Sequence, residues 1–89
     1  MTEAYTYMLQ CADDTLYTGW TTDLARRVKT HNAGRGSRYT RGRLPVRLVF
    51  WEGHSSRRAA RSREQMLRHM SRGKKLRLIA SRNGREESW

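Results

Sequence analysis

The residues that suit catalysis are concentrated near the start of the chain. Tyr7, Tyr17, Arg27 and His31 lie within the first 31 residues, and Glu64 lies far downstream. Hydrolysis of a phosphodiester bond needs an activated water, neutralisation of charge on the phosphate and stabilisation of the leaving oxygen. A general base, an arginine and a divalent cation held by a carboxylate suit these tasks. The residue types therefore indicate phosphodiester hydrolysis.

Glu64 is the acid best placed to hold a cation. The other acids fall in a predicted turn, a helix cap, a strand end or near the termini. Carboxylate oxygen suits Mg²⁺ or Mn²⁺, and no second acid has a cooperating spacing, so one cation is expected rather than two. The alternative is an ordinary helix-surface ion pair with Arg61 or Arg68, which helix spacing alone favours.

The other candidates also have structural explanations. Tyr7 and Tyr17 are typical strand residues with an apolar body and a hydrogen-bonding tip. Arg27 could cover apolar surface with its stem, and His31 could be a last-turn residue favoured by the helix dipole. Taken singly, none of these residues specifies a function.

Several other chemistries are poorly supported. The three histidines and the single Cys11 do not have the spacing of a zinc site. Cys11 lacks a neighbouring base and is expected in the core. Asp13 and Asp14 are expected to shape a tight turn, with metal binding as the weaker alternative. No nucleophile-elbow motif supports acyl transfer.

The charge of the chain favours a polyanionic partner. The 89 residues fit one small domain, and 19 Lys+Arg against 8 Asp+Glu give a formal net charge of +11. Most of the basic residues are arginine, which binds phosphate through paired hydrogen bonds. We expect nucleic acid as the partner; the alternative is a solvated basic surface like that of ribosome-associated proteins.

Cellular location is predicted from what the sequence lacks. A single cysteine suits a reducing compartment, no apolar run reaches the length of a membrane span, and the N-terminus has no leader-like pattern. We expect a cytoplasmic protein that makes no membrane contact.

Three strands are predicted. Residues 4–11 and 15–21 are rich in Tyr, Thr and Trp, and the acidic turn at residues 12–14 makes them antiparallel neighbours. Residues 46–52 form the most apolar run, which predicts a central or well-covered third strand that ends at Gly53 and His54.

Helices are predicted between and after the strands. The first begins after cap candidates at residues 21–23 and ends near Gly34, with His31 on its core face, Arg27 at the edge of that face and Arg26 pointing away. The second runs from Ser55 or Ser56 to about residue 70. Its apolar side is expected to hold Ala59, Ala60, Met66, Leu67 and Met70, with Arg63 near its centre and Glu64 on its border.

The remaining segments are predicted from their glycines and charge. A third helix follows Ser71 and is broken by Asn83-Gly84, so we expect a domain over residues 1–82 and a tail over residues 83–89, in which Trp89 is the one residue suited to dock back. Residues 34–45 contain three glycines, one proline and four arginines and predict an irregular basic loop. The substrate contacts expected here and nearby are Gly19, Arg26, Arg35, Arg38, Tyr39 and Arg41.

The order of these residues resembles the GIY-YIG nuclease superfamily. The matching blocks are Tyr5-Thr6-Tyr7, Tyr17-Thr18-Gly19, residues 23–27 leading to His31-Asn32, Arg63-Glu64, Ser71-Arg72 and Lys75-Leu76. They span about residues 4 to 80 and resemble small stand-alone bacterial members. The name-giving tripeptides are loose, because only Tyr7 survives of the first and Thr18 replaces isoleucine in the second. The resemblance implies an α+β domain with a three-stranded antiparallel sheet flanked by about three helices.

The resemblance also implies roles for single residues. Tyr17 resembles the tyrosine that acts as general base or water activator, and Tyr7 the tyrosine that orients the site. Gly19 matches a glycine that allows close approach of the backbone. Arg27 would stabilise the pentavalent phosphate, and His31 would support proton transfer.

The cofactor and the substrate follow from the same resemblance. Glu64 would hold a single Mg²⁺ or Mn²⁺, and Asn83 is the one candidate for an asparagine that many members use. The implied activity is metal-dependent, structure-directed cleavage of DNA, with DNA repair as the expected setting and a targeting partner or a homo-oligomer selecting the substrate. The alternative is a DNA- or RNA-binding accessory protein, associated with the ribosome, that has lost useful catalysis.

Overall fold

The first strand of the chain is the centre of the sheet. The computed structural model describes the backbone of residues 1–87 and the side chains of residues 1–82. The elements are β1 (Ala4–Gln10), β2 (Leu16–Thr21), α1 (Leu24–Asn32), α2 (Arg38–Arg41), β3 (Arg47–His54), α3 (Arg57–Arg68) and α4 (Arg72–Glu87). The strands lie in the order β2-β1-β3, and both pairs are antiparallel. The predicted α+β class is confirmed.

The β1–β2 hairpin places the two tyrosines on one side of the sheet. Tyr7 lies opposite Gly19, and Leu9 lies opposite Tyr17. Because side chains alternate along a strand, these four residues share a face. Asp13 accepts hydrogen bonds from the backbone N–H and the hydroxyl of Thr15, at 3.2 and 2.6 Å, which confirms that this acid shapes the turn.

Helices cover both faces of the sheet. On the face of Tyr7 and Tyr17, which we call the tyrosine face, α1 and α2 pack over a cluster that includes Leu9, Cys11 and Val46. On the opposite face, which we call the α3 face, α3 and α4 enclose Met8, Phe50, Leu67 and Ile79. Cys11 is buried, as predicted. Each strand therefore has one row of side chains in each of two small cores.

Several expectations about the elements are wrong. The apolar third strand lies at an edge of the sheet rather than at its centre, although α3 and α4 cover one of its faces, as the alternative prediction allowed. It extends two residues beyond the predicted residues 46–52 and ends at His54. Residues 34–45 are not wholly irregular, because Ser37 caps the short helix α2 by accepting a hydrogen bond from the backbone N–H of Thr40.

The later helices also differ from expectation. Met66 is 60% exposed instead of packed, and Arg63 is accommodated beside the core by two hydrogen bonds to Glu52, of 2.9 and 3.1 Å. Asn83-Gly84 does not end the last helix, which continues to Glu87. The Asn83 side chain and the expected docking of Trp89 lie outside the described residues. Within the described chain, no helix has the length and apolar character needed to cross a membrane.

Candidate active site

A buried hydrogen bond joins the central strand to α1. Tyr7 and His31 are each 1% exposed, and Tyr7 Oη lies 3.0 Å from His31 Nε2. The other ring nitrogen of His31, Nδ1, lies 2.8 Å from Oγ1 of Thr40 in α2. A strand, a helix and the short helix after it therefore contribute to one chain of hydrogen bonds.

Gly19 makes room for the Tyr7 hydroxyl. A Cβ atom at this position would lie 2.6 Å from Tyr7 Oη and 3.2 Å from Tyr17 Cε2. Since Gly19 belongs to the edge strand β2, the missing side chain lets Tyr7 extend across that strand. The close approach expected at this glycine is therefore present, and it is made by a tyrosine side chain.

Tyr17 and Tyr39 extend the aromatic cluster outward. The Tyr17 ring packs edge-on to His31 at 5.2 Å between centroids and lies 5.9 Å from the Tyr39 ring. The guanidinium of Arg43 covers Tyr39 at 4.1 Å from the ring centroid and is held by Asp13 at 2.9 Å. The exposed Tyr39 is thus packed between Tyr17 and Arg43.

Arg27 lies beside this cluster with an unused donor. Its side chain is half-buried, and among the described residues its Nε atom is buried with no hydrogen-bond partner. Together with Trp20, Arg26 and Arg57, it lines an open cavity of about 410 Å³ next to β2. Arg26 itself is exposed, as predicted. This cavity has both the space and the charge to admit a phosphate group.

Burial and the nearby arginine set the protonation of the central pair. Burial, followed by the charge of Tyr17, raises the pKa of Tyr7 to about 12, although Arg27 opposes the shift. Burial and then the positive charge of Arg27 lower the pKa of His31. At neutral pH, therefore, the tyrosine is protonated and the histidine is neutral.

Glu64 approaches from the α3 face. It is 8% exposed, and its Oε2 atom forms an ion pair with Arg68 Nε at 2.7 Å. The ion pair expected as an alternative to metal binding is therefore present with Arg68. The charge of Glu64 also contributes, as the smallest of the causes, to raising the pKa of Tyr7. The carboxylate of Glu64 therefore lies within electrostatic range of the Tyr7 hydroxyl.

The side chains that could bind a metal ion here fit one kind of site. Among the described residues, no three acidic, histidine or cysteine side chains converge. A single carboxylate is nevertheless a suitable ligand for Mg²⁺, which keeps several water ligands and is often held by one or two carboxylates plus substrate phosphate. The residues present fit a one-carboxylate site of this type at Glu64.

The remaining basic candidates lie on a separate surface. Arg35, Arg38 and Arg41 are exposed and line a second open cavity of about 370 Å³. Two of them belong to α2, so the helix fixes their spacing.

Two further residues of this segment contact His31 and were not predicted from the sequence. Thr40 contacts His31, and a Cβ atom on Gly36 would overlap the His31 ring. The cap signal Ser-x-x-Thr was the one feature of the sequence that could have indicated ordered structure around them.

The fold and this constellation define a small α+β domain of the GIY-YIG type. The sequence model described as "GIY-YIG catalytic domain" matches residues 3–77, and the chain belongs to that family. Membership implies a nuclease-type function and nucleic acid as the substrate.

The chain is similar to small proteins named UPF0213. It is 48% identical to one from Clostridium perfringens over 96% of this chain and 91% of that protein, and 54% identical to one from Natronomonas pharaonis over 90% and 94%. The solution structure of a UPF0213 protein from Bacillus halodurans has 45% identity and a TM-score of 0.56, covering 86% of this chain and 82% of that one. The solution structure of a protein from E. faecalis has 31% identity and a TM-score of 0.60, covering 93% of this chain and 92% of that one.

Proposed function

We propose that this protein is a metal-dependent endonuclease that hydrolyses phosphodiester bonds in DNA and selects the substrate by its structure rather than its base sequence. The observation that supports this best is the buried hydrogen bond between Tyr7 and His31, which lies beside Arg27, whose Nε has no hydrogen-bond partner among residues 1–82. A neutral base and a hydroxyl thus lie beside an arginine that also lines the open cavity next to β2.

In this proposal Tyr7 and His31 handle the proton of the attacking water together. The pKa of Tyr7, raised to about 12, leaves almost no tyrosinate at neutral pH. Tyr7 can still accept the proton of the water if its own proton passes to His31 Nε2, 3.0 Å away. The lowered pKa of His31 keeps the ring neutral and ready to accept.

The role of Tyr17 differs from the one that the resemblance implies. The resemblance makes Tyr17 the general base, but the hydrogen bond of His31 is made with Tyr7. Tyr17 packs against the His31 ring at 5.2 Å. We therefore propose that Tyr17 encloses the pair and that Tyr7 contacts the water.

The chemistry is an in-line displacement at phosphorus. The water oxygen forms a bond to phosphorus as the bond to the leaving oxygen breaks, and the leaving oxygen takes a proton from solvent. Arg27 would donate to the phosphate oxygens, on which negative charge accumulates in the transition state. Its half-buried position restricts the direction of the guanidinium, so less reorganisation is needed during the reaction.

Glu64 is the residue that would hold Mg²⁺ or Mn²⁺. When bound, the cation would supply charge neutralisation at the phosphate and at the leaving oxygen. Arg68, which is 56% exposed, pairs with Glu64 in the structure. Because an exposed arginine loses little free energy on leaving such a pair, Glu64 remains available to a cation.

Binding of DNA would be carried largely by phosphate contacts. The chain has a formal charge of +11, and Arg26, Arg35, Arg38 and Arg41 are exposed. Contacts of this kind position a nucleic acid without reading its bases. We propose that a partner protein or a second copy of the chain directs the enzyme to its substrate, in a setting such as DNA repair.

A second candidate function is nucleic-acid binding without useful catalysis, including association with RNA or the ribosome. The observation that favours it is the ion pair between Glu64 and Arg68, which occupies one oxygen of the proposed metal ligand. This candidate predicts salt-sensitive binding that does not depend on Glu64.

A cleavage panel tests the proposal. Labelled flapped, branched and single-stranded DNA would be incubated with the protein and Mg²⁺ or Mn²⁺, and with matched RNA. We expect metal-dependent cuts that Glu64→Ala and Arg27→Ala each slow by about 100-fold or more. The matched controls, Asp14→Asn and Arg77→Ala, remove exposed charges elsewhere and should cleave normally.

Three results would count against the endonuclease. These are no cleavage by the wild type, equal cleavage by Glu64→Ala and Arg27→Ala, or equal losses in the two controls. Binding that weakens with salt, persists in Glu64→Ala and is never followed by turnover would support the second candidate instead.

A further inference from the structure

The segment after α1 has a buried contact that a phosphate-binding loop would not need. Thr40 is 0% exposed although it lies in a run of arginines. Its Oγ1 atom is 2.8 Å from His31 Nδ1, the nitrogen opposite the one that meets Tyr7. Ser37 Oγ lies 3.0 Å from the same Thr40 oxygen. Both nitrogens of the imidazole are therefore engaged by protein hydroxyls.

The neighbours of Thr40 provide an acceptor for its proton. The hydroxyl is within 3.4 Å of the backbone carbonyl oxygen of Ser37, which can only accept. Ser37 Oγ already accepts the backbone N–H of Thr40, at 3.2 Å, so its own proton is free to point at Thr40 Oγ1. With its proton directed at Ser37, the Thr40 oxygen can accept the N–H of His31 Nδ1.

We propose that Thr40, oriented by Ser37, is a positioning residue that fixes His31 in the tautomer with the proton on Nδ1. Nε2 is then bare and accepts the proton of the Tyr7 hydroxyl. The second ring nitrogen of a functional histidine commonly has such a partner, because that partner decides which nitrogen is basic. The catalytic consequence rests on the proposed function, whereas the tautomer itself does not.

Two further contacts hold the ring in place. A Cβ atom on Gly36 would overlap the His31 ring, so only glycine lets this segment lie directly against the imidazole. The Tyr17 ring contacts the histidine edge-on at 5.2 Å. The ring therefore has little freedom to turn over and exchange its two nitrogens.

Removing the hydroxyl should reverse the tautomer. In Thr40→Val the shape is kept, but Nδ1–H would face an apolar group. The proton would then move to Nε2, where Tyr7 Oη can accept it. Tyr7 could no longer donate to His31, and the transfer of the water proton would be blocked.

Nitrogen-15 NMR of the 89-residue chain tests the tautomer directly. The wild type should show a protonated Nδ1 and an unprotonated Nε2 for His31 at neutral pH, assigned by comparison with His31→Gln. Thr40→Ser should keep this pattern, and Thr40→Val should reverse it. Thr6→Val is the matched control, because Thr6 is also 0% exposed and donates a buried hydrogen bond, of 2.8 Å to the carbonyl of Ala60 on the α3 face. It should leave the His31 signals unchanged.

Cleavage of flapped DNA supplies the functional readout. We expect Thr40→Val to slow single-turnover cleavage at least tenfold, Thr40→Ser to stay within about threefold of the wild type, and Thr6→Val to cleave normally. A wild-type spectrum with the proton on Nε2 would overturn the inference even if Thr40→Val does not fold. Equal losses in Thr40→Val and Thr6→Val would also overturn it. A wild type that shows the expected tautomer but does not cleave would refute only the nuclease proposal.

Discussion

The two faces of the sheet differ in the charge and pairing of their polar side chains. On the tyrosine face Tyr7, His31 and Thr40 are neutral at pH 7 and hydrogen-bonded to one another. The cation beside them, Arg27, has a donor, Nε, with no partner in the part of the chain whose side chains are described. On the α3 face the charged groups are already paired, Arg63 with Glu52 and Arg68 with Glu64. The tyrosine face can therefore bind an anion without rearrangement. On the α3 face, the ion pair with Arg68 would have to break before Glu64 could hold a cation.

This difference indicates where catalysis would be controlled. A buried, satisfied network of neutral groups needs no substrate to be stable, so the tyrosine face is organised in advance. In the proposed function, the Glu64 carboxylate on the α3 face would have two competing partners, Arg68 and a cation. We therefore expect substitutions on the tyrosine face to change the rate of cleavage, and substitutions around Glu64 to change the dependence on metal.

The largest effect should come from the hydroxyl of Tyr7, and a smaller one from that of Tyr17. We expect Tyr7→Phe to slow cleavage by about 100-fold or more, because it removes the group that passes a proton to His31. Tyr17→Phe keeps the ring contact with His31 and should cost less than about tenfold. Single-turnover rates on flapped DNA at saturating Mg²⁺ measure both. The reverse ranking would return the role of water activator to Tyr17.

Two glycine-to-alanine substitutions compare the close packing around Gly19 with the open surroundings of Gly73 in α4. Gly19→Ala would place a methyl group 2.6 Å from Tyr7 Oη, and we expect it to lower the free energy of unfolding by about 1–3 kcal/mol and to slow cleavage. Gly73 lies in α4, and a methyl group there would have no neighbouring atom within 4 Å, so Gly73→Ala should raise stability by about 0.5–1 kcal/mol and leave cleavage unchanged. Urea unfolding measures both values. Equal stability of the two variants would contradict the close packing at Gly19.

The ion pair on the α3 face should have a smaller effect. Removing Arg68 frees Glu64, so Arg68→Ala should lower the Mg²⁺ concentration for half-maximal cleavage by about two- to tenfold, with little change at saturation. Arg61→Ala, at the other helix position considered as a partner of Glu64, is the control and should not shift the metal titration. No shift in Arg68→Ala would show that Glu64 does not hold the cation.

The smallest effect should be the contribution of His31 to the pH dependence of the free energy of unfolding. Because the pKa of His31 is lowered in the fold, its neutral form contributes stability that is complete above the ordinary value of about 6.5 and is lost as pH falls through the folded-state pKa. Urea unfolding between pH 5 and 8 should therefore show a decline towards acid that His31→Gln reduces. The control His69→Gln removes an exposed histidine and should keep the decline. An unchanged profile in His31→Gln would contradict the buried neutral imidazole.

Local patterns in the sequence predicted most of the tyrosine face. Strand alternation and the acidic turn placed Tyr7 and Tyr17 on adjacent strands, and helical spacing put His31 on the buried side of α1. These predictions needed only contacts close in sequence. The contact between Thr40 and His31 was not predicted, because it depends on the chain reversal at Gly34, where φ is +79°, and on the cap at Ser37.

The arrangement of the α3 face was harder to predict. The apolar character of residues 46–52 correctly indicated a strand, but hydrophobicity reports burial and not the order of strands in a sheet. Phe50 is buried at the edge of the sheet because α3 and α4 cover it. For Glu64, the sequence left the metal and the ion pair as alternatives. The structure shows the ion pair, and metal binding stays a prediction.

The most direct test is whether the two faces act as one site. Single-turnover cleavage of flapped DNA would be measured for the wild type, Tyr7→Phe, Glu64→Gln and the double variant. Residues that act on the same transition state as a unit are strongly non-additive. We predict that the wild type cleaves and that the double variant is about as slow as the slower single variant. A wild type without cleavage, or a double variant slowed by the product of the two single effects, would contradict a shared active site.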